Sequence, residues 1–137
     1  MLADIAVIGA GYVGLTLAVG AAHVGHTVSV GERDQKRVAA LRNRVCPIFE
    51  EGLADLLSEG LVAGKLTFTT SNVEAVETAE LVFLTVPTPS ASNGSADLTV
   101  LNAVVDELAP HLGDKILVLK STVPVGTNRD VTARLRT

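Results

Sequence analysis

Gly9, Gly11 and Gly14 stand at G-x-G-x-x-G spacing directly after the apolar run Ile5 to Ile8, and that arrangement suits a phosphate cradle. Gly9 lets the chain turn sharply out of a strand. Gly11 leaves bare main chain for an oxyanion to approach, and Gly14 lets a following helix come close to a sheet. Phosphate oxygens then meet free N–H groups at the end of a helix where the dipole favours negative charge. Glu32 follows at the end of the next apolar run, at the spacing from which a carboxylate accepts hydrogen bonds from ribose hydroxyls. The glycine pattern alone is a weak signal in a chain with 12 glycines. Its flanks give it weight.

Those flanks alternate between strand and helix. Ile5 to Ile8 reads as a strand buried on both faces, and Val13 to Val24, with only Thr16 and His23 polar, as a largely buried helix. A second strand, Thr27 to Val30, follows the Gly25-His26 break. Lys36 to Arg44 reads as a helix with Val38, Leu41 and Val45 on its apolar side, and Pro47 then opens an irregular piece. A helix from Leu53 to Ser58 ends at Gly60, Lys65 to Thr70 is a third strand, and Glu74 to Thr78 is a short helical connection. Leu81 to Val86 is a fourth strand, closed by Pro87-Thr88-Pro89. Ser90 to Ser95 is small and polar, a mobile loop over the edge of the site. Asp97 N-caps a helix from Leu98 to Leu108 that stops before Pro110. Ile116 to Leu119 is a fifth strand, and Asn128 to Thr137 is a helix without a C-terminal cap, as in a chain cut rather than finished.

This alternation predicts a Rossmann-type, doubly wound parallel sheet in three α/β/α layers, with strand order 3-2-1-4-5. In that order the C-terminal ends of strands 1, 2, 4 and 5 border one crevice. They carry Gly9 to Gly14, Glu32, Pro87 to Pro89 and Ser121-Thr122, so four separated motifs converge on one dinucleotide site.

Composition bounds the partners. The 137 residues make one domain, and 47% hydrophobic content with a mean hydropathy of +0.40 provides its core. Net charge is −4, and the arginine groups Arg42/Arg44 and Arg129/Arg134/Arg136 read as solvated helix faces, which argues against nucleic acid or an anionic membrane as partner. Asp4 stands where a signal peptide would be basic, and no run reaches the roughly 18 apolar residues of a membrane span. A single cysteine, Cys46, excludes an internal disulfide and suits a reducing cytoplasm. His23, His26 and His111 lack metal-ligand spacing, so no metal is expected. The adjacent carboxylates Glu50 and Glu51 point apart in a loop and stay solvated.

Four pieces together resemble one family. They are Gly9-Ala10-Gly11-Tyr12-Val13-Gly14-Leu15; Pro47-Ile48-Phe49-Glu50-Glu51-Gly52-Leu53; Val86-Pro87-Thr88-Pro89 with Gly94-Ser95-Ala96-Asp97-Leu98; and Lys120-Ser121-Thr122-Val123-Pro124-Val125-Gly126-Thr127. The chain is similar over its whole length to the N-terminal domain of the UDP-glucose/GDP-mannose dehydrogenases. Members oxidise the C6 hydroxyl of a nucleotide sugar to a carboxylate, using two NAD⁺ per turnover and a thiohemiacetal on a catalytic cysteine. The resemblance implies that Val13, Glu32, Arg37, Thr88 and Thr122 contact NAD. Gly9, Gly11, Tyr12, Gly14, Val86, Pro87 and Ser121 are the remaining cofactor-binding candidates. A threonine at the position of Thr122 also helps hold a water or proton relay beside the reacting alcohol, which makes Thr122 the catalytic candidate. The family's glutamates, lysine, asparagine and nucleophilic cysteine match nothing in these 137 residues, and Cys46 lies in a different segment. The resemblance therefore implies NAD binding without turnover by this polypeptide alone, and a homodimer for a full-length protein through a helix outside it. Glu51 departs from the proline usual there, and Glu32 from the commoner aspartate.

Read from the residues alone, several of these positions have plainer roles. Thr122 can cap the final helix region, Glu32 can be an exposed acid in a turn, and Arg37 a solvated helix arginine. Arg33 could welcome a 2′-phosphate, but the acid beside it repels one, which favours NAD over NADP. The Lys120-Ser121-Thr122-Val123-Pro124 form favours UDP-glucose as the sugar nucleotide, ahead of GDP-mannose and UDP-N-acetylhexosamines. The rival function is a non-catalytic NAD-binding module or sensor.

Overall fold

A computed structural model describes residues 1–137. Its five strands are β1 (Asp4–Ile8), β2 (Thr27–Gly31), β3 (Leu66–Thr69), β4 (Leu81–Leu84) and β5 (Ile116–Leu119), and they form one all-parallel sheet in the order β3-β2-β1-β4-β5. The expected order is the observed one. Register places the strand ends in a row: Ile8 pairs with Gly31 and with Leu84, and Leu84 pairs with Leu119. The residues that follow each strand therefore emerge along a single edge.

Helices cover both faces. The helices α1 (Tyr12–His23), α2 (Gln35–Arg42) and α3 (Leu53–Val62) contribute to one core cluster, in which Leu15, Val19, Leu41 and Leu57 are fully buried. The helices α4 (Asn72–Val76), α5 (Thr99–Leu112) and α6 (Thr127–Leu135) build the other, around Leu84, Leu101 and Leu108. Strand β1 serves both: Ile5 and Val7 face the first cluster, Ala6 and Ile8 the second. This two-sided burial is why the strand reads as a continuous apolar run. At about 1.5–3 kcal/mol for each large aliphatic side chain removed from water, the two clusters supply the main favourable term in folding.

The helices differ from the sequence expectation at their ends, and α3, α5 and α2 show why. Gly60 lies inside α3 and is buried, and a Cβ there would come within 3.1 Å of Leu66 Cβ and 3.6 Å of Ala22 Cβ. It is a close-approach glycine, and the chain leaves the helix through Gly64, at φ +69°. Helix α5 passes through Pro110, because a proline in the last turn removes only one backbone donor while the extra turn buries Leu112. Its N-cap is Leu98, and Asp97 stands one residue earlier, with Oδ1 accepting from the Thr99 N–H (2.9 Å) and hydroxyl (2.6 Å). Those two bonds hold the Asp97 carboxyl below the usual range. Helix α2 ends at Arg42, so Val45 is exposed, and Arg44 takes a left-handed conformation at φ +63°. No helix is long and apolar enough to cross a membrane.

Candidate dinucleotide site

The glycine turn joins β1 to α1. Gly9, at φ +101°, lies where only glycine is comfortable, and a Cβ there would be 2.9 Å from the Thr85 carbonyl oxygen. A Cβ on Gly14 would lie 1.9 Å from the Gly9 carbonyl oxygen and 2.4 Å from Thr85 Oγ1. Nothing comes within 4 Å of a Cβ on Gly11. Two glycines are thus required by the protein's own packing, whereas the third faces open space.

Helix α1 begins immediately beyond that space, and no side chain caps its N-terminus. The first N–H groups of a helix have no partner within it, so these donors point outward with the positive end of the dipole behind them. An anion entering over Gly11 would meet them.

Glu32 and Arg37 clasp the turn from the other side. Glu32 Oε2 accepts from the Ala10 N–H at 2.9 Å and Oε1 from the Asp34 N–H at 3.1 Å, while Arg37 Nη1 donates to the Ala10 carbonyl at 3.1 Å. The peptide groups flanking Ala10, between the first two glycines, are therefore fixed by both side chains. A carboxylate has roughly four acceptor positions, so Glu32 keeps capacity for ribose hydroxyls. Asp34 caps α2 through Oδ1, accepting from the Lys36 and Arg37 N–H groups, which sets the direction of Arg37.

A cleft of about 410 Å³ runs along this edge, and Gly9, Gly11, Glu32, Arg37, Val86 and Pro87 are among its lining residues. Six candidate positions therefore share one cavity. Gly14 is buried beneath the turn, while Tyr12 and Val13 stand exposed on the first turn of α1. Thr88, Ser121 and Thr122 form a second group beside the cleft. The Ser121 hydroxyl donates to the Val86 carbonyl at 2.7 Å, and the Thr88 hydroxyl donates to the Thr122 carbonyl at 2.6 Å. Two hydroxyls thus tie the segment after β4 to the segment after β5. The Thr122 side chain is exposed.

Three further residues stand around the site, and sequence reasoning missed them. The Thr85 hydroxyl bridges the Ile8 and Gly9 carbonyls at 2.9 and 2.8 Å, joining the glycine turn to β4. Buried Asn72 and half-buried Glu107 line up with Arg33: Glu107 Oε2 accepts from Arg33 Nη2 at 2.6 Å and from Asn72 Nδ2 at 3.2 Å. A polar threonine ending an apolar strand was the only available signal for Thr85. The Arg33–Glu107 pair spans 74 residues and leaves no local pattern.

The segment Ser90 to Ser95, expected as a mobile loop over the cofactor edge, is a hydrogen-bonded hairpin. Ser90 bridges Ala96, the Ala91 N–H donates to the Ser95 carbonyl at 2.7 Å, and Asn93 Oδ1 accepts from the Ser95 N–H and hydroxyl. Asn and Gly at the tip supply the turn chemistry, and the hairpin does not line the cleft. Tyr12 donates its hydroxyl to Glu50 Oε2 at 2.9 Å, and this bond to a carboxylate raises the phenol pKa above its ordinary value.

Residues 3–137 match the UDP-glucose/GDP-mannose dehydrogenase family, NAD binding domain. A UDP-glucose 6-dehydrogenase of Pseudomonas aeruginosa is 47% identical over 133 residues, which are 96% of this chain and 29% of that protein. Among solved structures, a UDP-glucose dehydrogenase from Pyrobaculum islandicum superposes with a TM-score of 0.92 at 37% identity, covering 98% of this chain and 32% of the other. A GDP-mannose dehydrogenase from Pseudomonas aeruginosa does so with a TM-score of 0.90 at 32% identity, covering 96% and 31%. The chain spans less than a third of the length of each of these proteins.

Proposed function

The chain belongs to the UDP-glucose/GDP-mannose dehydrogenase family as its NAD binding domain, and we propose from that membership that it serves a nucleotide-sugar 6-dehydrogenase of the UDP-glucose type. The observation that supports its part in the reaction is the open main-chain face at Gly11, set between the uncapped N-terminus of α1 and the Glu32 carboxylate in one cleft. Pyrophosphate oxygens would lie over Gly11 against the first N–H groups of α1. The adenosine ribose hydroxyls would donate to the free acceptor positions of Glu32, with Arg37 keeping the turn in place. Val86 and Pro87 form the wall along which the cofactor continues toward β5.

When bound, NAD supplies the hydride acceptor. The role of this chain is to hold and orient it and to present Thr122, whose exposed side chain would hold a water or proton relay beside the sugar alcohol. The nucleophile and base would come from a further domain, as would the contacts that make a homodimer. Tyr12, Val13, Phe49 and Val125 are exposed around the same sheet edge and would be covered by that domain.

The test is incubation of this chain with NAD⁺ and UDP-glucose, with GDP-mannose and a UDP-N-acetylhexosamine in parallel. The account expects NAD⁺ to bind and no NADH to form. NADH formation by this chain alone would refute the assignment of the base to a further domain, and two NADH per sugar would refute that of the nucleophile as well. A longer polypeptide that binds NAD⁺ and oxidises none of these sugars would favour a non-catalytic NAD module.

A further inference from the structure

We propose that Glu107 is a positioning residue for cofactor selectivity: it holds the Arg33 guanidinium away from the ribose and so denies the cleft a cation for a 2′-phosphate. The inference rests on the reading of Glu32 as the ribose acceptor. Arg33 directly follows Glu32 and lines the same cleft, and its side chain is 60% exposed, so it is the cation best placed to meet a phosphate on the 2′-oxygen. Arg37, which also lines the cleft, spends Nη1 on the Ala10 carbonyl.

Arg33 does not point freely into solvent. Its Nη2 donates to Glu107 Oε2 at 2.6 Å, across to α5. The Glu107 side chain is 33% exposed, and buried Asn72 donates to the same oxygen at 3.2 Å. Asn72 is itself confined, because its Oδ1 sits where Gly31 leaves room; a Cβ on Gly31 would come within 2.6 Å of it. The chain Gly31–Asn72–Glu107–Arg33 thus begins at the end of β2, one residue before Glu32, and returns one residue after it. Selectivity against a 2′-phosphate then has two sources: the charge of Glu32, and the sequestration of Arg33.

A part-exposed ion pair has a modest coupling, which limits the effect of releasing Arg33 to about fivefold in affinity, and removal of Glu107's own repulsion of a phosphate adds to that. The experiment measures binding of NAD⁺, NADP⁺, 5′-AMP and 2′,5′-ADP to this chain, to Glu107→Gln, to Arg33→Ala and to the double variant, at low and high salt. Glu107→Gln should tighten NADP⁺ and 2′,5′-ADP by about fivefold or more, with NAD⁺ and 5′-AMP unchanged. The gain should shrink at high salt and, in the double variant, fall to the smaller part that comes from Glu107's own charge. An unchanged NADP⁺ to NAD⁺ ratio in Glu107→Gln, or a gain as large without Arg33 as with it, would overturn the proposal. Absence of NAD⁺ binding in the unaltered chain would overturn the site itself, and the proposal with it.

Discussion

Replacing Gly14 by alanine would put a methyl carbon 1.9 Å from the Gly9 carbonyl oxygen and 2.4 Å from Thr85 Oγ1. Neither neighbour can step aside. The carbonyl belongs to the turn that starts α1, and the hydroxyl is held by two hydrogen bonds, to Ile8 and Gly9. Helix α1 must therefore lift from β1, loosening Leu15 and Val19 from the core. Overpacking of a close contact costs about 1–3 kcal/mol, and rigid neighbours place this case at the upper end, about 3 kcal/mol. That is a large part of the roughly 5–15 kcal/mol that holds a domain together, and it corresponds to a fall of about 1–2 M in the urea midpoint. Gly11→Ala is the matched control. Its φ of −76° suits alanine and no atom lies within 4 Å of the added carbon. The gain from a stiffer unfolded chain offsets the poorer cap, leaving stability within about 1 kcal/mol. Yet the methyl occupies the approach to the α1 N-terminus, so NAD⁺ affinity should fall at least about tenfold, or 1.4 kcal/mol. Urea denaturation and calorimetric NAD⁺ titration on both variants separate the effects. A Gly14→Ala midpoint equal to that of the unaltered chain, or a Gly11→Ala loss as large as that of Gly14→Ala, would refute the division of labour among the glycines.

Other outcomes follow from the same geometry. Glu32→Ala should weaken NAD⁺ binding by about 1.5–3 kcal/mol, the scale of hydrogen bonds to a charged acceptor, and unchanged affinity in titration would remove Glu32 from the ribose site. Thr85→Val deletes the bridge to the Ile8 and Gly9 carbonyls and should lower stability by about 1–3 kcal/mol in urea denaturation; a neutral effect would show that the turn stands without it. Tyr12 is the only tyrosine and there is no tryptophan, so phenolate absorbance reports it alone. Its midpoint should lie above 10.0 and move back toward that value in Glu50→Gln. Because the folded-state pKa is raised, the Tyr12–Glu50 link contributes below the unfolded value and is lost as pH rises through the folded one. A midpoint at or below 10.0 would contradict the hydrogen bond.

The fold was legible where the signal was local. Apolar runs bounded by turns located all five strands, and their alternation with helices yielded the strand order, because right-handed crossovers leave few topologies. Helix ends were legible less often, since burial decided them. Gly60 and Pro110 read as terminators, but Leu66 and Ala22 crowd the first and the burial of Leu112 outweighs one lost donor at the second. In the site, the glycines and Glu32 announce themselves by spacing. Thr85, Asn72 and Glu107 do not, because each acts on a partner at least 35 residues away and only the folded sheet edge brings them together.

The central claim is that the cofactor lies along the C-terminal edge of β1, β2, β4 and β5. Backbone amide NMR of the isotopically labelled chain, titrated with NAD⁺, tests it most directly. The account predicts saturable shifts concentrated at Gly9 to Val13, at Glu32 and Arg33, at Val86 and Thr88 and at Ser121-Thr122. Saturable shifts confined to the opposite edge, around His111 to Lys115, or no shifts at any NAD⁺ concentration, would contradict it.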